Sequence, residues 1–278
     1  MQPPRSFGLL HHPKIPQSQE LAREVAAFLA ERGCRTWIGS SWDQDAVKDR
    51  LSEQDILVTL GGDGTILRAA RIAAPGGKPI IGINLGRVGF LAELSPDEWQ
   101  EGLAKLLVGD YWLERRMMLR SEHWQGNRLQ STNLALNEVV VARGRLARVV
   151  RIGAHADGAE LSEYLADGLI AATPTGSTAY AFAAGGPIMP PTLRNILLVP
   201  IAPMSGLARP VVLSEGAEVW LTVDTDHEAI LSVDGQWEES LASGDRVCVQ
   251  TSHHAALFAR VRPQAYFYES LSQRLRCR

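Results

Sequence analysis

The sequence predicts a two-domain fold, with an α/β domain followed by an antiparallel β domain. Before residue 110, apolar runs typical of strands alternate with segments of helical period, whereas the later residues form short runs of period two separated by turn pairs. A chain of 278 residues is also long enough to bury two cores. We place the α/β domain at 1–110 and the β-rich domain at 111–259, and we expect residues 260–278 to pack back on the first domain.

The α/β domain is predicted to begin with a strand over Ser6 to His11 and a helix over Ser18 to Arg32. Ser18 is the expected N-cap, because a serine hydroxyl accepts hydrogen bonds from the first helical N–H groups. A second strand begins at Arg35 to Ile38, and the segment from Ser40 to Arg50 has no regular period. This order of elements is typical of a parallel sheet covered by helices.

A glycine-rich turn joins the next strand to the next helix. Asp55 to Leu60 is an apolar run typical of a buried parallel strand, and Ile66, Ala70 and Ala73 recur at helical spacing. The turn between them is Gly61-Gly62-Asp63-Gly64. In an open α/β sheet such a turn lies beyond the carboxyl end of a strand, where ligands bind. Glycines there let backbone N–H groups approach phosphate oxygens, and Asp63 can meet a bound substrate.

The turn alone leaves two interpretations open, since Asp63 could equally cap the helix that follows it. The stretch is neither a Walker A loop, which needs a lysine after its last glycine, nor a G-x-G-x-x-G dinucleotide fingerprint. Further along, Pro79 to Asn84 is a predicted strand that leads into a loop ending at Leu91. Ser95-Pro96-Asp97-Glu98 has the pattern of a capping box for the next helix.

The second domain is predicted to be antiparallel β structure, and a terminal helix over Tyr268 to Leu275 follows it. Its alternating or apolar runs are Glu138 to Ala142, Val149 to Ala154, Asn195 to Ile201, Val211 to Leu213, Val219 to Val223 and Ile230 to Val233. The turn pairs that separate such runs are Gly126-Asn127, Asp157-Gly158 and Asp234-Gly235.

Composition excludes several classes of protein. A net charge of -3 gives no general attraction to nucleic acid, and no stretch approaches the ~20 apolar residues of a membrane span. Cys34, Cys248 and Cys277 lack the spacing of a zinc site or a disulfide framework and fit a reducing compartment, so we expect a cytoplasmic protein. The adjacent histidines His11 and His12 lack a third ligand at useful spacing, so we assign them no metal.

Two polar segments stand out in the β domain. Thr173 to Tyr180 crowds hydroxyl groups and a glycine into a turn before a short alanine-rich helix, shortly after Asp167-Gly168. Such a turn can hold a ribose or a base, although a simple capping loop is the alternative. Asn137-Glu138 opens an apolar strand with an amide and a carboxylate that can bind hydroxyl groups.

Taken in order, these segments resemble the NAD kinase family, whose members transfer the terminal phosphoryl group of a nucleoside triphosphate to the 2′-hydroxyl of the adenosine ribose of NAD. The resemblance covers most of the chain. It rests on Gly61 to Thr65, Asn84 to Leu91, Asn137-Glu138, Asp167-Gly168 with Thr173 to Tyr180, and Asp234-Gly235-Gln236.

The resemblance implies that Asp63 is the general base, with Gly61, Gly62 and Gly64 close to the phosphates. It implies that Asn137 and Glu138 hold the ribose and that Asp167 binds the adenine. The remaining implied ligand contacts are Arg68, Phe90, Arg148, Thr175, Thr178, Ala179, Tyr180, Ala183 and Gln236. Leu165 stands where a polar contact is common in the family, which leaves any preference between NAD and NADH open.

The family also implies a Rossmann-like first domain, a β-sandwich-like second domain and a homodimer or homotetramer. ATP or polyphosphate is the expected donor, with Mg²⁺ held mainly through the ATP phosphates. Because the base and the nucleoside contacts fall in different domains, we expect the site in a cleft between them. The alternatives are a lipid kinase of the diacylglycerol or sphingoid type, a phosphofructokinase-like sugar kinase, which shares the glycine-rich turn but not the β-rich second half, and a non-catalytic NAD-binding regulator.

Overall fold

The chain folds into two compact units. The computed structural model describes residues 1–86, 89–144 and 148–276. Unit 1 comprises Met1–Arg115 and His254–Arg278, and unit 2 comprises Arg116–His253. Each unit has its own hydrophobic core and is described by itself below.

Unit 1 is built on a parallel sheet whose strand order is β2-β1-β3-β4. The strands are β1 (Ser6–His11), β2 (Arg35–Ser40), β3 (Ile56–Gly61) and β4 (Pro79–Asn84). The helices that follow them are α1 (Pro16–Ala30), α2 (Gln44–Leu51), α3 (Asp63–Ala73) and α4 (Trp99–Leu107). The predicted α/β fold is therefore confirmed. Because the strands are parallel, their carboxyl ends lie at one edge of the sheet.

The unit 1 core explains the unbroken apolar run before the glycine turn. Every residue of β3 is buried, since helices cover both faces of a parallel sheet. On one face, Leu9, Val58 and Ile81 pack with Val25 of α1 and Leu103 of α4. The apolar run ends where β3 leaves the core. The glycine turn begins at that point.

Two predicted helix caps are wrong. Helix α1 begins at Pro16, with Ile15 as the N-cap, because the fixed φ of proline suits the first helical turn. Ser18 lies inside the helix, and its hydroxyl oxygen is 2.7 Å from the carbonyl oxygen of Ile15 and 2.8 Å from that of His12, which share its single proton. Likewise the Ser95 hydroxyl donates to Glu98 (2.6 Å) in a turn that precedes α4, whose N-cap is Glu98.

Helix α2 lies within the segment that was predicted to be irregular. Asp43 is its N-cap, and its carboxylate accepts a hydrogen bond from the Ala46 N–H at 3.1 Å. Val47 is the only residue of α2 that is buried, so the helix carries almost no apolar period. The sequence signals for this helix were therefore its cap residue and the charges of its end turns, with Asp45 in the first turn and Lys48 and Arg50 in the last.

Unit 2 is antiparallel, as predicted. Its strands are β5 (Trp112–Gln125), β6 (Arg128–Ala135), β7 (Glu138–Arg143), β8 (Val150–Ala156), β9 (Ala159–Ala166), β10 (Gly168–Ala172), β11 (Ile196–Ile201), β12 (Val211–Leu213), β13 (Val219–Asp224), β14 (Ala229–Val233), β15 (Trp237–Leu241) and β16 (Arg246–Arg260), with the short helix α5 at Tyr180–Ala183. Strand β5 starts in unit 1 and β16 ends there, and helix α6 (Tyr266–Arg276) follows in unit 1.

The unit 2 core lies between two layers of strands. A six-stranded sheet has the order β12-β11-β10-β7-β14-β15, and β8, β9 and β13 belong to a second sheet with β16. Val141 and Leu169 of the first sheet pack in one cluster with Ile152 and Leu221 of the second. The opposite face of β10 is also covered, because Ile170 packs with residues that include Ala181 and Met189. The loop from 173 to 190 is thus fixed against the sheet.

Tyr164 on β9 is fully buried in the unit 2 core, and its hydroxyl has no hydrogen-bond partner among the described residues. Burial also raises the pKa of this hydroxyl. Because an unsatisfied buried polar group costs free energy, Tyr164→Phe is expected to raise the free energy of unfolding by roughly 1 kcal/mol.

Urea denaturation of the wild type and the variant measures this change. The control is Tyr268→Phe, since Tyr268 is 63% exposed and its replacement should leave the free energy of unfolding within ~0.5 kcal/mol. A loss of stability in Tyr164→Phe would show that its hydroxyl is satisfied.

Candidate active site

The glycine turn joins β3 to α3 at the carboxyl edge of the unit 1 sheet, as predicted. Gly61 ends β3, Gly62 is the N-cap of α3 with an extended backbone, and Asp63 is the first helical residue. No side chain caps α3 at Gly62, and the positive end of the helix dipole lies at the turn. Gly64 is exposed in the first turn of the helix. The turn therefore has the form of an anion-binding helix N-terminus.

The Asp63 carboxylate binds a neighbouring loop, which distinguishes it from a helix cap. Its Oδ2 accepts a hydrogen bond from the Phe90 N–H at 2.9 Å, and its Oδ1 accepts one from the Leu91 N–H at 3.2 Å. Both donors belong to the loop that follows β4. Arg87 and Val88 of the same loop lie outside the described residues. The carboxylate is therefore held in a fixed orientation by two peptide groups.

Gly89 makes room for this carboxylate. A Cβ atom added at residue 89 would lie 2.2 Å from Asp63 Oδ1, far inside van der Waals contact. The contact is with a carboxylate that two hydrogen bonds, one to each oxygen, already hold in place, so it cannot move aside without breaking them. Only glycine fits at position 89 while Asp63 keeps its place.

Two arginines hold the same loop from its other side. Arg274 of α6 donates to the Phe90 carbonyl at 2.9 Å, and Arg260 at the end of β16 donates to the Leu91 carbonyl at 3.1 Å. Arg260 is buried and also pairs with Glu93 (3.0 Å) and Glu114 (2.7 Å). The peptides that bind Asp63 are therefore fixed at both their N–H and their C=O groups. Sequence reasoning missed both arginines, because nothing local relates them to the glycine turn.

In unit 2 a buried aspartate organises the segment that carries Asn137 and Glu138. The Asp234 carboxylate accepts hydrogen bonds from the N–H groups of Leu136 (2.9 Å), Asn137 (2.8 Å) and Glu138 (3.0 Å). Asp234 lies in the turn between β14 and β15 and has a left-handed backbone, with φ at 52°. The Asn137 amide oxygen is buried and has no hydrogen-bond partner among the described residues. The amide side chain is thus available to a ligand hydroxyl.

The hydroxyl-rich loop is tied to the same segment through its backbone. The Thr173 N–H donates to the Asn137 carbonyl at 2.8 Å, and the Thr173 hydroxyl donates to the Leu136 carbonyl at 2.5 Å. A Cβ atom at Gly176 would lie 2.1 Å from the backbone carbonyl oxygen of Asn137, so the close approach of the two backbones requires glycine. These contacts fix the loop relative to the start of β7.

Several hydroxyl groups of this loop serve the protein itself. Ser177 donates to the Pro174 carbonyl at 2.6 Å and accepts from the Met189 N–H at 2.9 Å, and Thr178 donates to Thr175 O at 3.2 Å. Thr175 Oγ1 is buried and without a hydrogen-bond partner among the described residues. Of these hydroxyls, the one on Thr175 is therefore free to bind a ligand.

Asp167 is paired with an arginine that sequence reasoning missed. Arg143 Nε lies 2.7 Å from Asp167 Oδ1, and Arg143 Nη2 donates to Oδ2 at 3.2 Å. The antiparallel register of β7 and β10 places the two residues side by side, since Gly168 pairs with Ala142. This two-point contact sets the plane of the Asp167 carboxylate.

Unit 2 contains a pocket of about 410 Å³ on the outer side of its six-stranded sheet. Two of the expected ligand contacts, Glu138 and Tyr180, line it together with Arg143 and Asp234. Tyr180 is 46% exposed, so its ring is accessible. The other expected contacts in this unit lie in the loop at Thr178 and Ala179, in α5 at Ala183, in the turn after β14 at Gln236 and on the exposed surface at Arg148.

Comparisons with known proteins decide the family. The model of the ATP-NAD kinase N-terminal domain matches residues 31–111, and the model of the C-terminal domain matches residues 136–261. An NAD kinase of Chloroflexus aurantiacus is 41% identical over 269 residues, which cover 97% of this chain and 98% of the relative. One of Dehalococcoides mccartyi is 39% identical over 273 residues, covering 98% and 96%.

The chain belongs to the ATP-NAD kinase family. Two solved structures share its fold. An NAD kinase from Archaeoglobus fulgidus in complex with ATP has a TM-score of 0.79 at 28% identity, covering 98% of this chain and 99% of that one. Yeast NADH kinase complexed with NADH has a TM-score of 0.87 at 23% identity, covering 99% and 88%. The lipid kinase, sugar kinase and regulator alternatives gain no support from these likenesses.

Family membership makes the contact between Gly89 and Asp63 a test of the site. Gly89→Ala is expected to lower NAD kinase turnover by about 100-fold or more, because a misplacement of about 1 Å within an active site can cost that much. The added methyl group would push the Asp63 carboxylate off its two N–H donors. The measurement is kcat at saturating NAD and ATP.

The matched control is Gly86→Ala in the same loop, where a Cβ atom would meet nothing within 4 Å. We expect Gly86→Ala to keep kcat within about threefold of the wild type. Equal losses in the two variants would show that the loop, rather than the position of the carboxylate, limits turnover.

Proposed function

We propose that this protein is an NAD kinase that transfers the terminal phosphoryl group of ATP or polyphosphate to the 2′-hydroxyl of the adenosine ribose of NAD, producing NADP. The observation that carries the proposal is the fixed carboxylate of Asp63 in a glycine turn at the carboxyl edge of the sheet. Full-length likeness to curated NAD kinases supports the choice of substrates.

Asp63 acts as the general base in this proposal. A ribose hydroxyl is a weak nucleophile, and phosphoryl transfer needs alignment, charge neutralisation and removal of one proton. The 2′-oxygen forms the new bond to phosphorus, the bond between the transferred phosphoryl group and its donor breaks, and the hydroxyl proton passes to Asp63. Each carboxylate oxygen accepts one peptide N–H and keeps a second lone pair for that proton.

The phosphates of the donor are proposed to bind at the glycine turn. Gly61, Gly62 and Gly64 present backbone without side chains, and α3 points its N-terminus at the same place. Peptide N–H groups and the helix dipole favour negative charge there. This arrangement leaves Asp63, the first residue of α3, next to the group that is transferred.

The adenosine part of NAD is proposed to bind to the polar groups of unit 2. Asn137 and Glu138 would hold the ribose hydroxyls, and Thr175 offers a further hydroxyl. The Asp167 carboxylate would accept a hydrogen bond from the exocyclic amine of adenine, with Arg143 keeping its plane fixed. Tyr180 supplies an accessible aromatic ring for stacking.

Mg²⁺ is proposed to arrive with the triphosphate. The described residues contain no group of three His, Cys, Asp or Glu side chains that could hold a metal ion by themselves. Phosphate oxygens and water would then supply most of the ligands, which is usual for Mg²⁺ in kinases. When bound, the ion neutralises charge on the phosphates.

Assembly and location remain predictions of the resemblance, namely a homodimer or homotetramer in the cytoplasm. Within the described ranges, no helix has the length and apolar content needed to cross a membrane.

Asp63→Asn tests the mechanism and the function together. The amide cannot accept the hydroxyl proton, so we expect kcat to fall by about 100-fold or more while the Kd for NAD changes less than about threefold. Turnover is measured as NADP formed from NAD and Mg-ATP, read out with an NADP-specific dehydrogenase, and NAD binding is measured by calorimetry.

The control is Asp43→Asn, because asparagine also serves as a helix N-cap and Asp43 lies at α2. Wild-type turnover in Asp63→Asn would rule out the assigned base. A wild-type protein that binds NAD but forms no NADP with ATP or polyphosphate would favour the non-catalytic regulator.

A further inference from the structure

Helix α6 places one buried cation against the loop that holds Asp63. Ser270 and Arg274 lie four residues apart on α6, so they share a face of the helix, and both are buried. Arg274 is only 7% exposed. An arginine is seldom buried to this degree, because removing its charge from water is costly unless a partner compensates it. The partners of Arg274 therefore decide what its burial serves.

Arg274 has no carboxylate partner within the described ranges. No Asp or Glu oxygen there lies within ion-pair distance of it, and its Nε is buried without a hydrogen-bond partner. Arg260 of the same unit does pair with a carboxylate, that of Glu93. Arg274 instead donates to the Phe90 carbonyl at 2.9 Å, and its Cζ lies 5.8 Å from the centroid of the Phe90 ring and 5.3 Å from that of Tyr266.

The carbonyl that Arg274 binds belongs to the same peptide group as an N–H that binds Asp63. This is the peptide between Phe90 and Leu91. Its oxygen accepts from Arg274 at 2.9 Å, and its N–H donates to Asp63 Oδ1 at 3.2 Å. The C=O and N–H bonds of a trans peptide point in opposite directions. A cation and a carboxylate therefore face each other across one peptide group.

Hydrogen bonds at both ends polarise this peptide. The guanidinium draws electron density toward the carbonyl oxygen, and the N–H becomes a stronger donor, since linked hydrogen bonds strengthen one another by roughly 10–30% each. Both bonds also involve a charged group, and such bonds are about twice as strong as neutral ones. The Asp63 carboxylate thus compensates the buried charge of Arg274 through the peptide.

Arg260 has a different role. It donates to the Leu91 carbonyl at 3.1 Å, which belongs to the next peptide along the chain. It also pairs with two buried carboxylates, Glu93 and Glu114, which its loss would deprive of a buried cation. Replacing Arg274 leaves these ion pairs intact, so Arg274 is the residue through which the peptide can be tested.

We propose that Arg274 is a positioning residue for phosphoryl transfer, which acts on Asp63 through the peptide between Phe90 and Leu91. Arg274 sets the direction of the Leu91 N–H, and this N–H sets the position of the carboxylate that takes the proton of the ribose hydroxyl. The role in turnover rests on the proposed function, whereas the chain of hydrogen bonds from Arg274 to Asp63 does not.

Nuclear magnetic resonance of the full-length protein observes this peptide directly. The dipeptide Phe-Leu occurs twice in the sequence, at Phe28-Leu29 and Phe90-Leu91. Labelling phenylalanine carbonyls with ¹³C and leucine nitrogens with ¹⁵N therefore gives two carbonyl-to-amide signals. Arg274→Met should move the Leu91 amide proton upfield, because its hydrogen bond to Asp63 weakens, and should leave the Leu29 signal in place.

Arg32→Met is the matched control. Arg32 also donates to a phenylalanine carbonyl, that of Phe28 at 2.8 Å, but it is exposed and lies just after α1. Its replacement removes the same charge and should move the Leu29 signal alone. An unchanged Leu91 signal in Arg274→Met would overturn the proposal. If thermal unfolding shows that Arg274→Met is not folded, Arg274→Gln, which keeps a neutral donor, carries the same expectation.

Steady-state kinetics test the role in turnover. Arg274→Met should lower kcat about tenfold or more, with the KM values for NAD and Mg-ATP changed less than about threefold. Arg274→Lys keeps a charged donor and should recover most of kcat, and Arg32→Met should keep kcat within about threefold of the wild type. Calorimetric titration with NAD counts the binding-competent protein to which kcat refers. A raised KM for NAD with unchanged kcat would overturn the proposal, because Arg274 would then act on ligand binding through Phe90.

The two measurements separate this inference from the proposed function. A protein that forms no NADP, but whose Leu91 amide responds to Arg274→Met, would retain the chain of hydrogen bonds and refute the kinase. An active kinase whose kcat in Arg274→Met stays within about threefold of the wild type would refute the positioning role alone.

Discussion

The hydrogen bonds from two consecutive peptide groups to the Asp63 carboxylate are the constraint on which the unit 1 site depends. They require a glycine at residue 89, and they require that the loop after β4 be held at its carbonyl groups as well. Arg260 and Arg274 meet the second requirement from sequence far away. The orientation of the carboxylate therefore reflects packing across the whole of unit 1.

Unit 2 contains the same type of contact, in which one carboxylate accepts hydrogen bonds from consecutive N–H groups. Asp234 accepts hydrogen bonds from three consecutive N–H groups, and so fixes the segment from which Asn137 and Glu138 project. An ionised carboxylate suits this task because hydrogen bonds to charged groups are about twice as strong as neutral ones. In unit 2 the aspartate thus fixes the backbone that carries polar side chains, whereas in unit 1 the backbone fixes the aspartate.

The sequence could predict the elements whose signal is local. Strand β3 could be predicted from its unbroken apolar run, and the antiparallel strands of unit 2 from their alternation of apolar and polar residues. The glycines after β3 marked the turn. Helix α2 could not be found in this way, since only Val47 faces the core. Within the candidate site, the placement of the glycine turn after β3 and of Glu138 at the start of β7 could be predicted, whereas Arg143 became evident only from the register of β7 with β10. Tertiary partners leave no periodic signal.

The contacts of Arg260 and Arg274 with the loop after β4 also bear on how unit 1 folds. They join residues separated by 169 and 184 positions, whereas β1 pairs with β2 and β3, which lie much nearer to it in the sequence. Contacts that close so long a segment form late, because closing it costs conformational entropy that the contacts offset only once they have formed. During refolding, most of the secondary structure should therefore form before the Asp63 carboxylate reaches its final orientation, and recovery of activity should lag behind recovery of helix and sheet.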